Sequence, residues 1–304
     1  MKKKISCHII TYNQKEYISQ CIEGVLMQKT NFSIEIIIGD DNSTDGTREI
    51  LKEYARKYPD LIKFNLREVR GIGIPGKQNF LTTLELCTGE YISLCDGDDY
   101  WTDPLKLQKQ VDFLEANPDY VLCFHQVSIL KTNGEIVDDF ITKVPENYET
   151  IETLARLGNY IHTPSVVFRN VIKDFPFEFQ HTPIGDYFLY MMLAEHGKLK
   201  YLEEKMCVYR YGVGIFSGNS RLNMAKTNLK LFTCLLSYLK DDEIKKIIFD
   251  RQLYAVAHLE KILDELYNGC FVSNHIFFRA VKYTQTNLKN PSKILQKIIF
   301  KFKK

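Results

Sequence analysis

From residue 5 onward the chain alternates short apolar runs with segments whose apolar residues recur every three or four positions. Residues 5–10 form an apolar run of strand length, and Tyr17, Ile18, Cys21, Ile22, Val25 and Leu26 then share one helical face. Residues 34–38 are a β-branched run, and a helical pattern through Ile50, Leu51, Tyr54 and Tyr58 closes at Pro59, with Thr44 or Asp45 placed to cap it. The pattern predicts further strands at 62–66, 91–94 and 121–130. Between them it predicts helices over 77–86 and from Pro104 through Leu107, Val111 and Leu114. From 131 to 211 the pattern is mixed, with strands read at 165–168 and 206–211 and a helix starting at Asp186. From Asn223 it is helical.

Repeated β-α-β units predict an α/β fold with a mostly parallel, right-handed central sheet flanked by helices, followed by a helical C-terminal extension. The division read from the pattern is 1–218 for the sheet domain and 219–304 for the helical region. With 304 residues and a formal charge of +2, the chain is long enough for a large core and carries no global field that would point to nucleic acid. Its eight cysteines show no C-x-x-C spacing, which predicts buried free thiols in a reducing compartment rather than a zinc site. The basic start at residues 1–4 is followed by too short an apolar run for a signal peptide, and no run reaches transmembrane length. The expected location is therefore cytoplasmic.

In open parallel sheets, ligands sit beyond the carboxyl ends of the strands. Polar clusters fall at three such ends: Thr11-Tyr12-Asn13, Asp40-Asp41-Asn42-Ser43, and Asp96-Gly97-Asp98-Asp99. The last is the most informative, because carboxylates at adjacent positions repel unless a cation is present. Mg²⁺ or Mn²⁺, bound by one or two carboxylates and completed by phosphate oxygens, suits it. Each of the others also has an ordinary reading: turn and cap chemistry for residues 40–46, a packed aromatic for Tyr12, and a helix N-cap for Asp186. The glycine-rich loop 71–76 lacks dinucleotide-fingerprint spacing, but Lys77 at the following helix start is placed to approach a phosphate. Arg210 is placed to pair with a diphosphate, and Gly212, Gly214 and Ser217 after it suit a mobile lid, or equally the segment is an exposed loop with a structural Arg.

Taken in order and spacing, Ile10-Thr11-Tyr12-Asn13, residues 40–47, Gly89-Glu90-Tyr91 leading to Asp96-Gly97-Asp98-Asp99-Tyr100-Trp101, Gly185-Asp186 and Tyr209-Arg210 resemble a family 2 glycosyltransferase of the GT-A fold over residues 5–217. The resemblance implies inverting sugar transfer from a nucleotide-diphosphate donor, a UDP-sugar in the first instance, to a glycan or lipid-linked acceptor in cell-surface polysaccharide synthesis. It implies that Tyr12 and Asp41 hold the base with Thr11, Asn13 and Asp40 beside them. Asp98 with Asp99 would hold Mn²⁺ or Mg²⁺, and Asp96 would stand near the ribose and diphosphate. Asp186 falls at the general-base position. Trp101 and His162 are candidates for the sugar or acceptor pocket, although a Trp here is more often core and a His more often a satisfied loop residue. Many members carry a His shortly after the strand at 206–211, where this chain has Tyr211.

Two other classes share these features. A nucleotidyltransferase on sugar phosphates would carry a Gly-rich basic loop after the first strand, where this chain has Thr11-Tyr12-Asn13-Gln14. A non-catalytic nucleotide-sugar-binding protein of the same fold has less need of all three acidic clusters. Beyond Glu265 there is no acid, and Lys293, Lys297, Lys301 and Lys304 form a helical stripe opposite apolar residues. That tail suits peripheral contact with an anionic membrane, or equally a docked helix with a solvated face.

Overall fold

The computed structural model of the protein describes residues 4–214 and 220–266. The first half is β1 (Ile5–Thr11), α1 (Ile18–Leu26), β2 (Ile34–Asp40), α2 (Thr47–Lys57), β3 (Ile62–Leu66), α3 (Lys77–Leu84), β4 (Tyr91–Asp96), β5 (Tyr100–Trp101), α4 (Lys106–Ala116), β6 (Tyr120–His125), β7 (Ser128–Leu130) and β8 (Ile136–Asp138). It continues with α5 (Ile151–Leu157), β9 (Val167–Arg169), α6 (Phe177–His181), α7 (Gly185–Ala194), β10 (Lys198–Leu202), β11 (Cys207–Arg210), α8 (Arg221–Tyr238) and α9 (Asp242–Leu266).

Seven strands form the central sheet in the order β10-β6-β9-β4-β1-β2-β3. The ladders β1–β2, β1–β4, β2–β3 and β6–β10 are parallel. Alternation along the strands feeds a core on each face. Ile5, Cys7, Ile9, Ile36 and Ile38 pack with α1 and α4, while Ile37, Ile92 and Leu94 pack with α7 and α8. Leu231, Phe232, Leu235, Ile244 and Ile248 of α8 and α9 belong to that second core. The seven described cysteines are free and buried, as their apolar surroundings predicted. Among the described residues no helix is long and apolar enough to cross a membrane. The lysine-striped tail at 290–304 and Ser217 lie outside the described residues.

Two elements differ from the sequence reading. The run 121–130 is two strands in two sheets. Gln126 N–H still donates to Leu202 O, after which the chain turns, and β7 joins a four-stranded sheet of order β5-β11-β7-β8. An apolar run carries no mark of a change of sheet. The strand read at 165–168 is shifted, because Thr163–Ser165 is a 3₁₀ turn with Pro164 in its first turn, and β9 follows it. β9 runs antiparallel to both β4 and β6.

Candidate functional site

The carboxyl ends of β1, β2 and β4 meet at one rim. Thr11 pairs with Asp40 and Ile10 with Asp96 across the ladders, so register alone brings the three polar clusters together. Side chains then lace them. Asn13 N–H donates to Ser43 Oγ at 2.8 Å, and Thr44 N–H donates to Asn13 Oδ1 at 2.9 Å. Asn13 and Asn42 hold φ of 52° and 67°, a left-handed conformation that asparagine tolerates better than most residues. Thr11 Oγ1 donates to Gln14 Oε1, and the Gln14 amide hydrogen-bonds the Asp98 carboxylate.

The two acids after β2 occupy different positions. Asp40 is turned inward. Arg48 Nε lies 2.7 Å from its Oδ2, which also accepts from Ser43 N–H, while Oδ1 is buried without a partner. Asp41 Oδ1 accepts from Gly71 N–H at 3.0 Å and faces Arg67 Nε at 3.1 Å. The Arg70 guanidinium covers the Tyr12 ring at 3.8 Å and donates to its hydroxyl. The loop 67–76 therefore folds over the face assigned to the base.

The acidic turn after β4 is crowded and poorly compensated. Burial, then the charges of Asp98 and Asp186, pushes the Asp96 carboxyl up to about 8. Burial also raises Asp98, against Arg210 and Gln14, which lower it. Asp99 is raised well above the carboxylate range by burial and by Asp98 and Asp96, and its Oδ1 accepts from Arg210 N–H at 2.8 Å. Asp99 thus faces β11, whereas Asp96 and Asp98 share the rim. The Arg210 guanidinium lies between the Tyr17 and Tyr100 rings, 4.8 and 4.9 Å from their centroids. It donates to Asp98 O and to Gln20. In this arrangement it braces the acidic turn.

Asp186 is the second residue of α7, and the N-cap is Ile184, so its carboxyl is free of the capping duty that its sequence context suggested. Asn159 Nδ2 donates to its Oδ2 at 2.9 Å. Burial raises Asp186, offset by the Tyr187 N–H and by Lys77. Lys77 is itself nearly buried, with Nζ 4.0 Å over the Phe179 ring. Burial lowers its ammonium to about 8, against the pull of Asp186. The Asp186 charge acts on Asp96.

His162 and Trp101 stand apart from this group. His162 Nε2 bonds Asp139 Oδ2 at 2.9 Å, and its ring lies 5.0 Å from that of Tyr209. Trp101 is 2% exposed. Its indole N–H donates to Pro164 O, and the Lys106 ammonium lies 4.3 Å over its ring. The structure puts it in the core, not in the lining of a sugar pocket, because both its polar edge and its π face already have partners. Sequence reading missed Gln14, Gln20, Arg48, Arg70 and Asn159. Only Gln14, directly after Thr11-Tyr12-Asn13, carried a signal.

Among the described residues no three His, Cys, Asp or Glu side chains form a metal-holding group. The rim still fits a divalent cation, since Mg²⁺ takes one or two carboxylates and completes its shell with phosphate oxygens and water. Asp96, raised by burial and by the charge of Asp98, and Asp98, raised by burial, are the donors such an ion would satisfy.

That crowding has a measurable cost. Between roughly pH 4, where a free Asp loses its proton, and about 8, the folded chain keeps Asp96 protonated while the unfolded chain does not. The folded state then binds more protons, so stability falls as pH rises through the window. Asp96→Asn removes this dependence. Without added metal, its melting temperature should exceed wild type by more at about pH 8.5 than at about pH 5. An equal difference at both pH values in differential scanning fluorimetry would refute the assignment.

A mostly parallel central sheet with one antiparallel strand, flanked by helices and with acids from separate strands at its carboxyl rim, is a fold of the GT-A type. Residues 6–175 match the family described as Glycosyl transferase family 2, and the chain belongs to that family. An uncharacterized protein of Mycobacterium tuberculosis is 40% identical over 201 residues, 66% of this chain and 57% of that protein. The chain thus spans somewhat over half the length of that relative. The putative teichuronic acid biosynthesis glycosyltransferase TuaG of Bacillus subtilis is 32% identical over 140 residues, 46% of this chain and 53% of TuaG. Among solved structures, residues 1–349 of TarS from S. aureus in complex with UDP-GlcNAc superpose with a TM-score of 0.57 at 18% identity, covering 90% of this chain and 74% of that one. The mannosyltransferase PcManGT of Pyrobaculum calidifontis, in complex with GDP-Man and Mn²⁺, gives 0.62 at 17% identity, covering 95% of this chain and 81% of its own. These two likenesses carry the fold.

Proposed function

We propose that the protein transfers a sugar, with inversion, from a nucleotide-diphosphate donor to a hydroxyl of a glycan or lipid-linked glycan in cell-surface polysaccharide synthesis. A UDP-sugar is the first donor to test, following TarS, and a GDP-sugar the second, following PcManGT. The observation that carries the reading is the strand register that brings the carboxyl ends of β1, β2 and β4, with their three polar clusters, to one rim, near enough to Asp186 for its charge to act on Asp96.

Asp96 and Asp98 would hold Mn²⁺ or Mg²⁺, which when bound offsets charge on the leaving diphosphate. Tyr12 and Asp41 receive the base once Arg70 and the Gly71 amide give way. Arg210 keeps the acidic turn in shape from behind, and its charge favours the ionised form of Asp98. Lys77 holds Asp186 toward its ionised form against the effect of burial. Asn159 and the Tyr187 N–H orient the Asp186 carboxylate, which takes the acceptor proton as the hydroxyl attacks opposite the leaving group. The buried free thiols favour a reducing, cytoplasmic setting. The tail at 290–304 supplies a basic stripe for peripheral contact with the inner membrane face.

A thermal-shift screen of UDP- and GDP-sugars, each with and without Mn²⁺ or Mg²⁺, tests the donor class. A donor at about 100 times its Kd stabilises the fold by about 2.7 kcal/mol, which for a chain of this size raises the melting temperature by roughly 4 °C. If no nucleotide sugar shifted the transition with either metal, the reading would fall.

A further inference from the structure

Lys77 sits where local chemistry disfavours a cation. It is the first residue of α3, a helix with no side-chain cap and no acid in its first turn, so its charge adds to the positive end of the helix dipole. It is also only 8% exposed. Among the described residues no carboxylate lies within ion-pair distance of its ammonium, which rests on the face of Phe179 in α6. Burial lowers it to about 8, and the charge of Asp186 is the largest influence in the other direction.

Room for the ammonium comes from a side chain that is missing. Gly185 is the first residue of α7 and the neighbour of Asp186. A Cβ at Gly185 would lie 2.7 Å from Lys77 Nζ, closer than such atoms approach one another. The next atoms, Lys77 Cε and Phe179 Cζ, would be at 3.8 and 3.9 Å, an ordinary contact distance, so the ammonium is the only close obstacle to a methyl group. Backbone conformation gives no reason for glycine here. Gly185 is helical and its φ is not positive, so an L residue can adopt its backbone and would lose less entropy on folding.

We propose that Gly185 is a positioning residue, whose missing side chain opens the niche that seats the Lys77 ammonium next to the Asp186 carboxylate. The niche stands on its own geometry, whereas its place in catalysis rests on the transferase reading of Asp186. The Asp186 charge also reaches Asp96 of β4, Tyr190 of α7 and Tyr209 of β11, and the Cys234 thiol of α8 acts on Lys77. None of these four is a cation at neutral pH, so among them Lys77 is what favours an ionised Asp186.

Gly185→Ala tests this while sparing the fold. The atom that the new methyl meets is the free end of a flexible side chain, so the variant should melt no lower than wild type. NMR titration of the metal-free full chain, labelled with ¹³C-lysine and ¹³C-aspartate, reads both partners, with Lys77→Met and Asp186→Asn assigning the signals. Lys77 should titrate at about 8 in wild type and higher in Gly185→Ala, because the ammonium is driven from its niche toward water. Lys106, which burial also lowers to about 8, is the control and should not move. Asp186 should rise by about half a pH unit, since a nearby cation favours its ionised form. In transfer assays the acid limb of kcat should move up equally, about a threefold loss of kcat below the limb, with an unchanged KM for the donor. Lys77→Met should move Asp186 further, and adding Gly185→Ala to it should change nothing more, because the ammonium is already gone. If Gly185→Ala left Lys77 and Asp186 titrating as in wild type, or moved Asp186 as much with Met at position 77, the positioning role would be refuted. If both groups shifted as expected while no donor was ever turned over, Gly185 would keep its role toward Asp186 and the transferase reading would fail.

Discussion

Asp186→Asn should lower sugar transfer by a factor of roughly 100 to 10,000, the usual contribution of a positioned base, while leaving donor affinity unchanged. The amide keeps the shape of the carboxyl and can still accept from Asn159 through its oxygen, so the pocket is preserved and only the proton acceptor is lost. Asp186 is not the N-cap of α7, so the fold loses the modest attraction between a first-turn acid and the helix dipole, about 0.3–1 kcal/mol, together with the charge that faces the nearly buried Lys77. The signature is a fall in kcat with an unchanged KM for the donor, since an interaction made only in the transition state has been removed. Near-normal transfer by the purified variant would take the base role away from Asp186.

Asp98→Asn should act at the other end of the reacting bond. It should abolish the metal-dependent part of donor binding and lower kcat/KM by about 100- to 1,000-fold, comparable to the loss of one preorganised group facing developing charge. Asp98 is nearly buried and is tied to Gln14 and, through its backbone oxygen, to Arg210. A neutral amide of the same size retains those contacts, and removing a carboxyl that burial penalises leaves the metal-free protein no less stable. Titration calorimetry with donor and Mn²⁺, with and without a chelator, separates the two effects. Wild-type donor affinity should fall on chelation and the variant's should not. If both lost affinity equally on chelation, the cation would be held elsewhere.

The parallel half of the fold was legible because β1, β2 and β4 are continuous apolar runs separated by helical periodicity, and register then follows from burial on both faces. The three polar clusters were legible for the same reason, since each directly follows a strand. Orientation within the clusters was not. Asp40 turns inward because Arg48, in the first turn of α2, reaches back to it. Trp101 is core because the Pro164 carbonyl, 63 residues later, meets its indole N–H. Asn159 lies in a loop with no motif, and only the tertiary fold brings it to Asp186. β9 is three residues long, and its direction is fixed by partners far away in sequence, so no local pattern could assign it.

That short strand also governs how the chain reaches its native state. β1, β2 and β3 can pair as their βαβ units emerge from the ribosome, each contact closing only a modest loop, and β4 then returns to lie beside β1. β6 and β10 cannot join them until Val167–Arg169 slots between β4 and β6, more than seventy residues after the β4 positions it pairs with. Arg169 then ties the seam, donating to Tyr91 Oη on one side and Tyr120 O on the other. Loop closure over such a separation is slow. Until it occurs, a nascent chain exposes the open edge of β4, a surface to which another strand could add.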